Sequence, residues 1–164
     1  MSDDGEGVDI ILEFVPGGSI RQLLDQFEAF DERLVKIYTR QMLEGLNYLH
    51  EKGIIHRDLK CANVLVDNMG VIKLSDFGAS KRIVSVFDEN GYSAGEEHML
   101  KSVKGSPYWM APEVVRKTGH GYPADIWSIG CCVIEMLSSK PPWHEYGRDA
   151  KNIMNIIKSS TKPP

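Results

Sequence analysis

The chain has 164 residues, 42% hydrophobic and 26% charged, enough for one globular domain with a core and too few for two. Fifteen glycines and eight prolines fall short of a collagen-like or low-complexity chain, and no apolar run approaches the roughly eighteen residues that span a bilayer. Nineteen basic against 23 acidic residues leave a formal net charge of -4, which offers no general attraction to nucleic acid or to an anionic membrane.

Residues 1–7 read as an acidic turn. Asp3, Asp4, Glu6, Asp9 and Glu13 precede the first basic residue, Arg21, so an acidic interaction tail is the other reading. Met1 opens no basic n-region and no apolar h-region, so a secretory signal is not expected and a cytoplasmic location is. Val8 to Phe14, interrupted by Asp9 and Glu13, has the length of a buried strand, and Pro16-Gly17-Gly18 ends it with turn chemistry. Ser19 then caps a helix with Ile20, Leu23, Leu24 and Phe27 along one face. Asp31 caps a second helix whose stripe is Leu34, Tyr38, Met42, Leu46 and Leu49.

After Gly53 the pattern shortens to Ile54-Ile55, Val64-Leu65-Val66 and Val71-Ile72-Lys73-Leu74, and Asp67-Asn68-Met69-Gly70 between the last two predicts a β-hairpin. Residues 79–110 show no sustained period, and a structureless stretch of that length is uncommon unless functional. Ala124 to Leu137 predicts a mostly apolar helix with Ile126, Trp127, Gly130, Val133, Ile134 and Leu137. Pro141-Pro142 stop it, and a short helix carries Ile153, Ile156 and Ile157. Cys61, Cys131 and Cys132 lack metal-ligand spacing and read as reduced thiols.

Three short motifs stand in order: His56-Arg57-Asp58-Leu59-Lys60-Cys61-Ala62-Asn63, then Asp76-Phe77-Gly78, then Ala111-Pro112-Glu113. They resemble the catalytic loop, the metal-binding triplet and the end of the activation segment of protein kinases. The chemistry accounts for the residue types, because phosphoryl transfer to a hydroxyl asks mainly for in-line positioning and cancellation of phosphate charge. The resemblance implies that Asp58 accepts the proton of the substrate hydroxyl, that Lys60 neutralises the transferring phosphate, and that Asn63 and Asp76 hold Mg²⁺. It makes His56 and Phe77 a structural pair, gives Arg57 a phosphate on the activation loop, and makes Asp125, at the head of Asp125-Ile126-Trp127-Ser128-Ile129-Gly130, the support of the catalytic-loop backbone.

Upstream, Leu12-Glu13-Phe14-Val15-Pro16-Gly17-Gly18-Ser19 is similar to the hinge that receives the adenine of ATP. Leu12 is then the gatekeeper, the Glu13 carbonyl and Val15 amide pair with adenine, Leu65 forms the apolar floor and Ser19 lies near the ribose. Lys60 and the Gly105-Ser106-Pro107-Tyr108-Trp109 stretch look like serine/threonine kinases, and Pro16-Gly17-Gly18-Ser19 with Gly105-Ser106-Pro107-Tyr108-Trp109-Met110 most resembles the MAP kinase kinase kinases. The expected substrate is a MAP kinase kinase. Residues 76–113 correspond to the activation segment, with Ser80, Ser85, Ser93, Ser102 and Ser106 as possible acceptors. Ser102 stands where the family's activating phosphate falls, Ser106 is expected to contact Asp58 and Lys60, and Glu113 is a structural residue awaiting a basic partner.

The expected fold class is α+β, a kinase-like fold made of the hinge at 12–19 and most of the helical C-terminal lobe, with the small lobe absent and residues 8–164 a partial catalytic domain. Gly5-Glu6-Gly7 has no third glycine and no Val-Ala-x-Lys behind it, so it is not a phosphate loop. Three readings follow: a fragment of an active serine/threonine kinase, a catalytically silent lobe that acts as scaffold or competitor, and a small-molecule phosphotransferase. The long segment ending in Ala111-Pro112-Glu113 counts against the third.

Overall fold

The computed structural model describes residues 11–83 and 105–164. Ser19 opens helix α1 (Ile20–Phe27) with a capping box: its hydroxyl accepts from the Gln22 amide, and the Gln22 side chain accepts from the Ser19 amide. Asp31 opens α2 (Glu32–Glu51) by accepting from the amides of Arg33 and Leu34. Of the expected α2 stripe, Tyr38, Met42 and Leu46 are buried in one cluster with Ile20 and Leu24 of α1 and Leu49 is buried outside it, while Leu34 is only partly buried and Val35 takes the inner position in the first turn. Each such side chain contributes about 1.5–3 kcal/mol by leaving water. Phe27 is the exception: it is 64% exposed, because Glu28 leaves the helix at positive φ and α1 ends where the core does.

Strand β1 (Ile54–Ile55) follows, then β2 (Val64–Val66) and β3 (Ile72–Leu74), which form the expected antiparallel hairpin with Val64 opposite Leu74 and Val66 opposite Ile72. Asp67 builds the turn by accepting from the amides of Met69 and Val71, and Gly70 takes the positive φ of 79° that closes it. β1 pairs instead with β4 (Lys81–Arg82), inside the stretch expected to lack structure. Side-chain pattern could not show this pairing: it is made by backbone, with Ile83 N donating to Gly53 O.

The run Val8 to Phe14, expected as a buried strand, is not one where it is described. Ile11, Leu12 and Phe14 are 80–95% exposed, in no strand and with no strand beside them among the described residues, and Val8 to Ile10 lie outside the description, as does the acidic turn at 1–7.

A single helical turn, α3 (Pro112–Val115), with its proline at the start where the missing amide costs nothing, precedes α4 (Tyr122–Ser138), which begins two residues earlier than expected. Its orientation departs from the apolar reading. Ile126, Gly130 and Leu137 face solvent, whereas Asp125, Ser128 and Glu135 lie inside with Ile129, Cys132 and Met136. Each buried polar side chain has partners, so its burial leaves no group unsatisfied. Helix α5 (Ala150–Ser159) is capped by Asp149 and buries Ile153 and Ile157 with Trp143 in a smaller cluster. The three cysteines are free and buried, and burial pushes the Cys131 thiol far up. No helix among the described residues is long and apolar enough to cross a membrane.

Candidate active site

The polypeptide from His56 to Asn63 is held from beneath by Asp125. This carboxylate, 1% exposed, accepts from the amides of His56 and Arg57 and from His50 Nε2, each at 2.9 Å. Arg57 is thereby fixed at a φ of 73°, a left-handed conformation costly to a residue with a Cβ. His56 is fully buried, with its ring centroid 5.1 Å from that of Phe77. Its Nε2 donates to Ser75 O at 3.0 Å, which leaves Nδ1 to accept from the Asp58 amide at 3.4 Å.

Asp58 is the centre of a compact polar web. Its Oδ1 accepts from the Ser106 amide at 2.9 Å and hydroxyl at 3.0 Å, and its Oδ2 from Lys60 Nζ at 3.0 Å and Asn63 Nδ2 at 3.2 Å. Lys60 Nζ also donates to Ser106 Oγ at 2.7 Å. A hydroxyl therefore sits with its proton toward a carboxylate and its oxygen against an ammonium. Gly105 permits this close approach. At a φ of 116° its backbone passes so near Arg57 that a Cβ would stand 2.7 Å from the Arg57 carbonyl oxygen.

The hairpin carries Asn63 and Asp76 to one end. Because Val64 faces Leu74, Asn63 and Ser75 are next to each other in register, and Ser75 donates to Asn63 O through both its amide and its hydroxyl. Asp76 follows at a φ of 61° with its carboxylate exposed, and among the described residues that carboxylate accepts from the Gly78 amide alone, at 3.3 Å. Asn63 spends its amide nitrogen on Asp58, at the carbonyl and the carboxylate, so its side-chain oxygen faces away. One neutral and one anionic oxygen suit a hard Mg²⁺ that takes its remaining ligands from phosphates and water.

On the nucleotide side, Gly18 O accepts from the Val66 amide at 2.8 Å and Ser19 bridges to Leu65, so the turn after Val15 is docked on β2. Leu65 and Ser19 are thus adjacent, with the Ser19 hydroxyl engaged by its cap. Leu12 is 80% exposed, and the Glu13 carboxylate pairs with Lys73 Nζ at 2.6 Å, tethering the segment to β3.

Arg57 is 7% exposed and lines a small cavity of about 10 Å³ with Asp58, Ser106 and His120. Burial first, and the Arg57 charge second, push the His120 ring down to about 4. Ser80 donates its hydroxyl to His56 O at 3.1 Å. Ser85, Ser93 and Ser102 lie outside the described residues. The Glu113 side chain is half-buried and has no ion-pair partner among the described residues, while its carbonyl accepts from Thr118.

Two supports were not read from the sequence. His50, one residue past the α2 stripe, completes the Asp125 hydrogen bonds. Glu135, 1% exposed, accepts from Arg21 Nη1 and from Trp109 Nε1, each at 3.0 Å, and so joins α1 to the Ser106–Trp109 segment. A carboxylate inside an otherwise apolar helix was the available signal for Glu135.

Comparison with known proteins agrees with this geometry. Residues 1–163 match the protein kinase domain family. The chain is 50% identical over 161 residues to mitogen-activated protein kinase kinase kinase 3 of Arabidopsis thaliana, covering 98% of this chain and 24% of that protein. It is 46% identical over 155 residues to mitogen-activated protein kinase kinase kinase 3 of Homo sapiens, covering 94% and 23%. The chain therefore spans about a quarter of the length of these relatives. With its motifs in order and the match running over nearly its whole length, the chain belongs to the protein kinase family.

Proposed function

We propose that the chain carries the transfer site of a serine/threonine protein kinase that moves the γ-phosphate of ATP to a serine or threonine of a protein, a MAP kinase kinase. The observation that carries the reading is the Asp58–Lys60–Ser106 arrangement, in which Asp58 and Lys60 hold a hydroxyl from its two sides. A substrate hydroxyl in the place of Ser106 Oγ gives its proton to Asp58 as its oxygen attacks phosphorus, and Lys60 stabilises the charge on the transferring group. Asn63 and Asp76 are the ligands for Mg²⁺, which when bound neutralises phosphate charge. Leu65, Leu12, the Glu13 carbonyl, the Val15 amide and Ser19 are the residues that would hold the adenosine of ATP.

His56 and Phe77 keep the loop and the Asp76 segment in contact, and Asp125 keeps the loop's backbone in its working shape. Phosphate on Ser102 pairs with Arg57 and orders the activation segment, and the Ser102→Ala variant of the full-length protein then loses most of its activity.

The test is transfer of labelled γ-phosphate by the full-length protein to a MAP kinase kinase, with Asp58→Asn beside it. Transfer onto serine or threonine that falls at least about a hundredfold in the variant supports the reading. No transfer by the parent protein, or an undiminished rate in Asp58→Asn, overturns it.

A further inference from the structure

Next to the transfer site lies a second concave surface that the reaction does not use. It is a cleft of about 590 Å³ between Tyr108 and the loop that leads into α5, lined by Tyr108, Lys140, Pro141, His144, Gly147 and Arg148. The loop is built rather than slack. Trp143, 6% exposed, anchors it in the α5 cluster, Asn152 Nδ2 donates to Tyr146 O at 3.0 Å, and the Tyr108 hydroxyl donates to Gly147 O at 2.9 Å, joining the two walls.

The lining carries no carboxylate in a chain of net charge -4, and Lys140 and Arg148 are exposed with no ion pair among the described residues. Of the flanking acids, Glu145 sits at the edge of the cleft, 3.4 Å from His144 Nδ1 of the lining, and Asp149 accepts from the Lys151 amide at the head of α5.

The position of the cleft relative to the transfer site follows from chain geometry. Tyr108 is two residues from Ser106, so their Cα atoms are at most about 7 Å apart. A peptide with its acceptor over Asp58 reaches the cleft within a few extended residues, at about 3.3 Å each.

We infer that this cleft is a specificity subsite that binds an acidic side chain, carboxylate or phosphoserine, of the protein substrate a few residues from its acceptor. The inference rests on the kinase reading and adds the feature of the substrate that the site selects. Lys140 and Arg148 give the charge, and the Tyr108 ring gives an apolar wall for the peptide.

The test uses the full-length protein and peptides of one sequence in which Asp, phosphoserine, Ala or Lys is scanned from two to five residues on either side of the acceptor serine. At one register Asp and phosphoserine raise kcat/KM about three- to tenfold over Ala, Lys lowers it, and the ratio shrinks in high salt. Phosphoserine well above Asp identifies phosphate as the preferred source, and equality identifies the carboxylate. In Lys140→Glu/Arg148→Glu the ratio of Asp to Ala peptides falls to about one or inverts. Equal rates for all four residues at every register overturn the inference, as does an acid preference that survives the double reversal. If no peptide is phosphorylated, the kinase reading fails by itself, and fluorescence anisotropy of labelled Asp and Ala peptides decides the cleft. Acid-dependent tightening of at least about threefold that is lost in the variant sustains it, and equal binding overturns it.

Discussion

Replacing Asp125 by Asn tests whether one buried carboxylate fixes the catalytic-loop backbone. The carboxylate accepts from two neighbouring amides and from His50 Nε2. An isosteric amide has one oxygen, so it can serve one of the two N–H groups and turns its own NH₂ toward the other. The variant loses a charge-assisted hydrogen bond, about 1.5–3 kcal/mol, and leaves one buried amide unsatisfied, about 1–3 kcal/mol. The left-handed Arg57 then has less to hold it, and the sum is about 3–5 kcal/mol, a large part of the 5–15 kcal/mol typical of a domain. Urea unfolding followed by tryptophan fluorescence should show the midpoint falling by about 2 M. Hydrogen exchange should show the His56 and Arg57 amides losing protection ahead of the α2 amides. A loss below about 1 kcal/mol with both amides still protected would refute the assignment.

His120 gives the chain an acid-side weakness. Its folded-state value is depressed from 6.5 to about 4, so the unfolded chain takes up the proton first, and about 3 kcal/mol present above pH 6.5 is lost as pH falls toward 4. Unfolding free energy measured from pH 7.5 to 4.5 should show this slope, and His120→Gln should flatten it. Arg21→Met leaves the Glu135 carboxylate with Trp109 alone, and because Arg21 is itself partly exposed the expected cost is about 2–3 kcal/mol by denaturation, part of which Glu135→Gln in the same chain restores. Gly17→Ala places a Cβ 2.2 Å from Val66 O, so the turn must lift off β2 at about 1–3 kcal/mol, read as faster exchange of the Val66 amide that Gly18 O holds.

Local chemistry was legible where a residue's partner lies within one turn. Ser19 with Gln22, Asp31 with Arg33 and Leu34, and Asp67 with Met69 and Val71 each satisfy amides three or four residues away at most, and the sequence marks all three ends. The hairpin was legible for the same reason. The β1–β4 pair was not, because Ile54–Ile55 and Lys81–Arg82 share neither a pattern nor a turn, only backbone groups brought together by the intervening loop. In α4 the inward Asp125 was expected from the resemblance, but Ser128 and Glu135 were not, because a hydrophobic count places polar residues outward and their partners at Trp109 and Arg21 lie far away in sequence.

The same distinction explains how the site is built. The first motif, His56 to Asn63, lies within eight consecutive positions, yet the contacts inside that stretch do not by themselves fix its geometry. Asp58 faces Lys60 and Asn63 on its own loop, but among the described residues its other oxygen is held by Ser106, 48 residues on, and the two amides before it, of His56 and Arg57, are held by Asp125, 67 residues on from Asp58. Glu135, through Trp109, then anchors the segment that carries Ser106 to α1, which Ser19 caps. A change at Arg21 therefore reaches the Ser106 side of Asp58 through two hydrogen bonds of 3.0 Å without touching any motif residue. Buried polar contacts, not the apolar clusters, set the distances around Asp58, because apolar packing tolerates sliding that a directional bond does not.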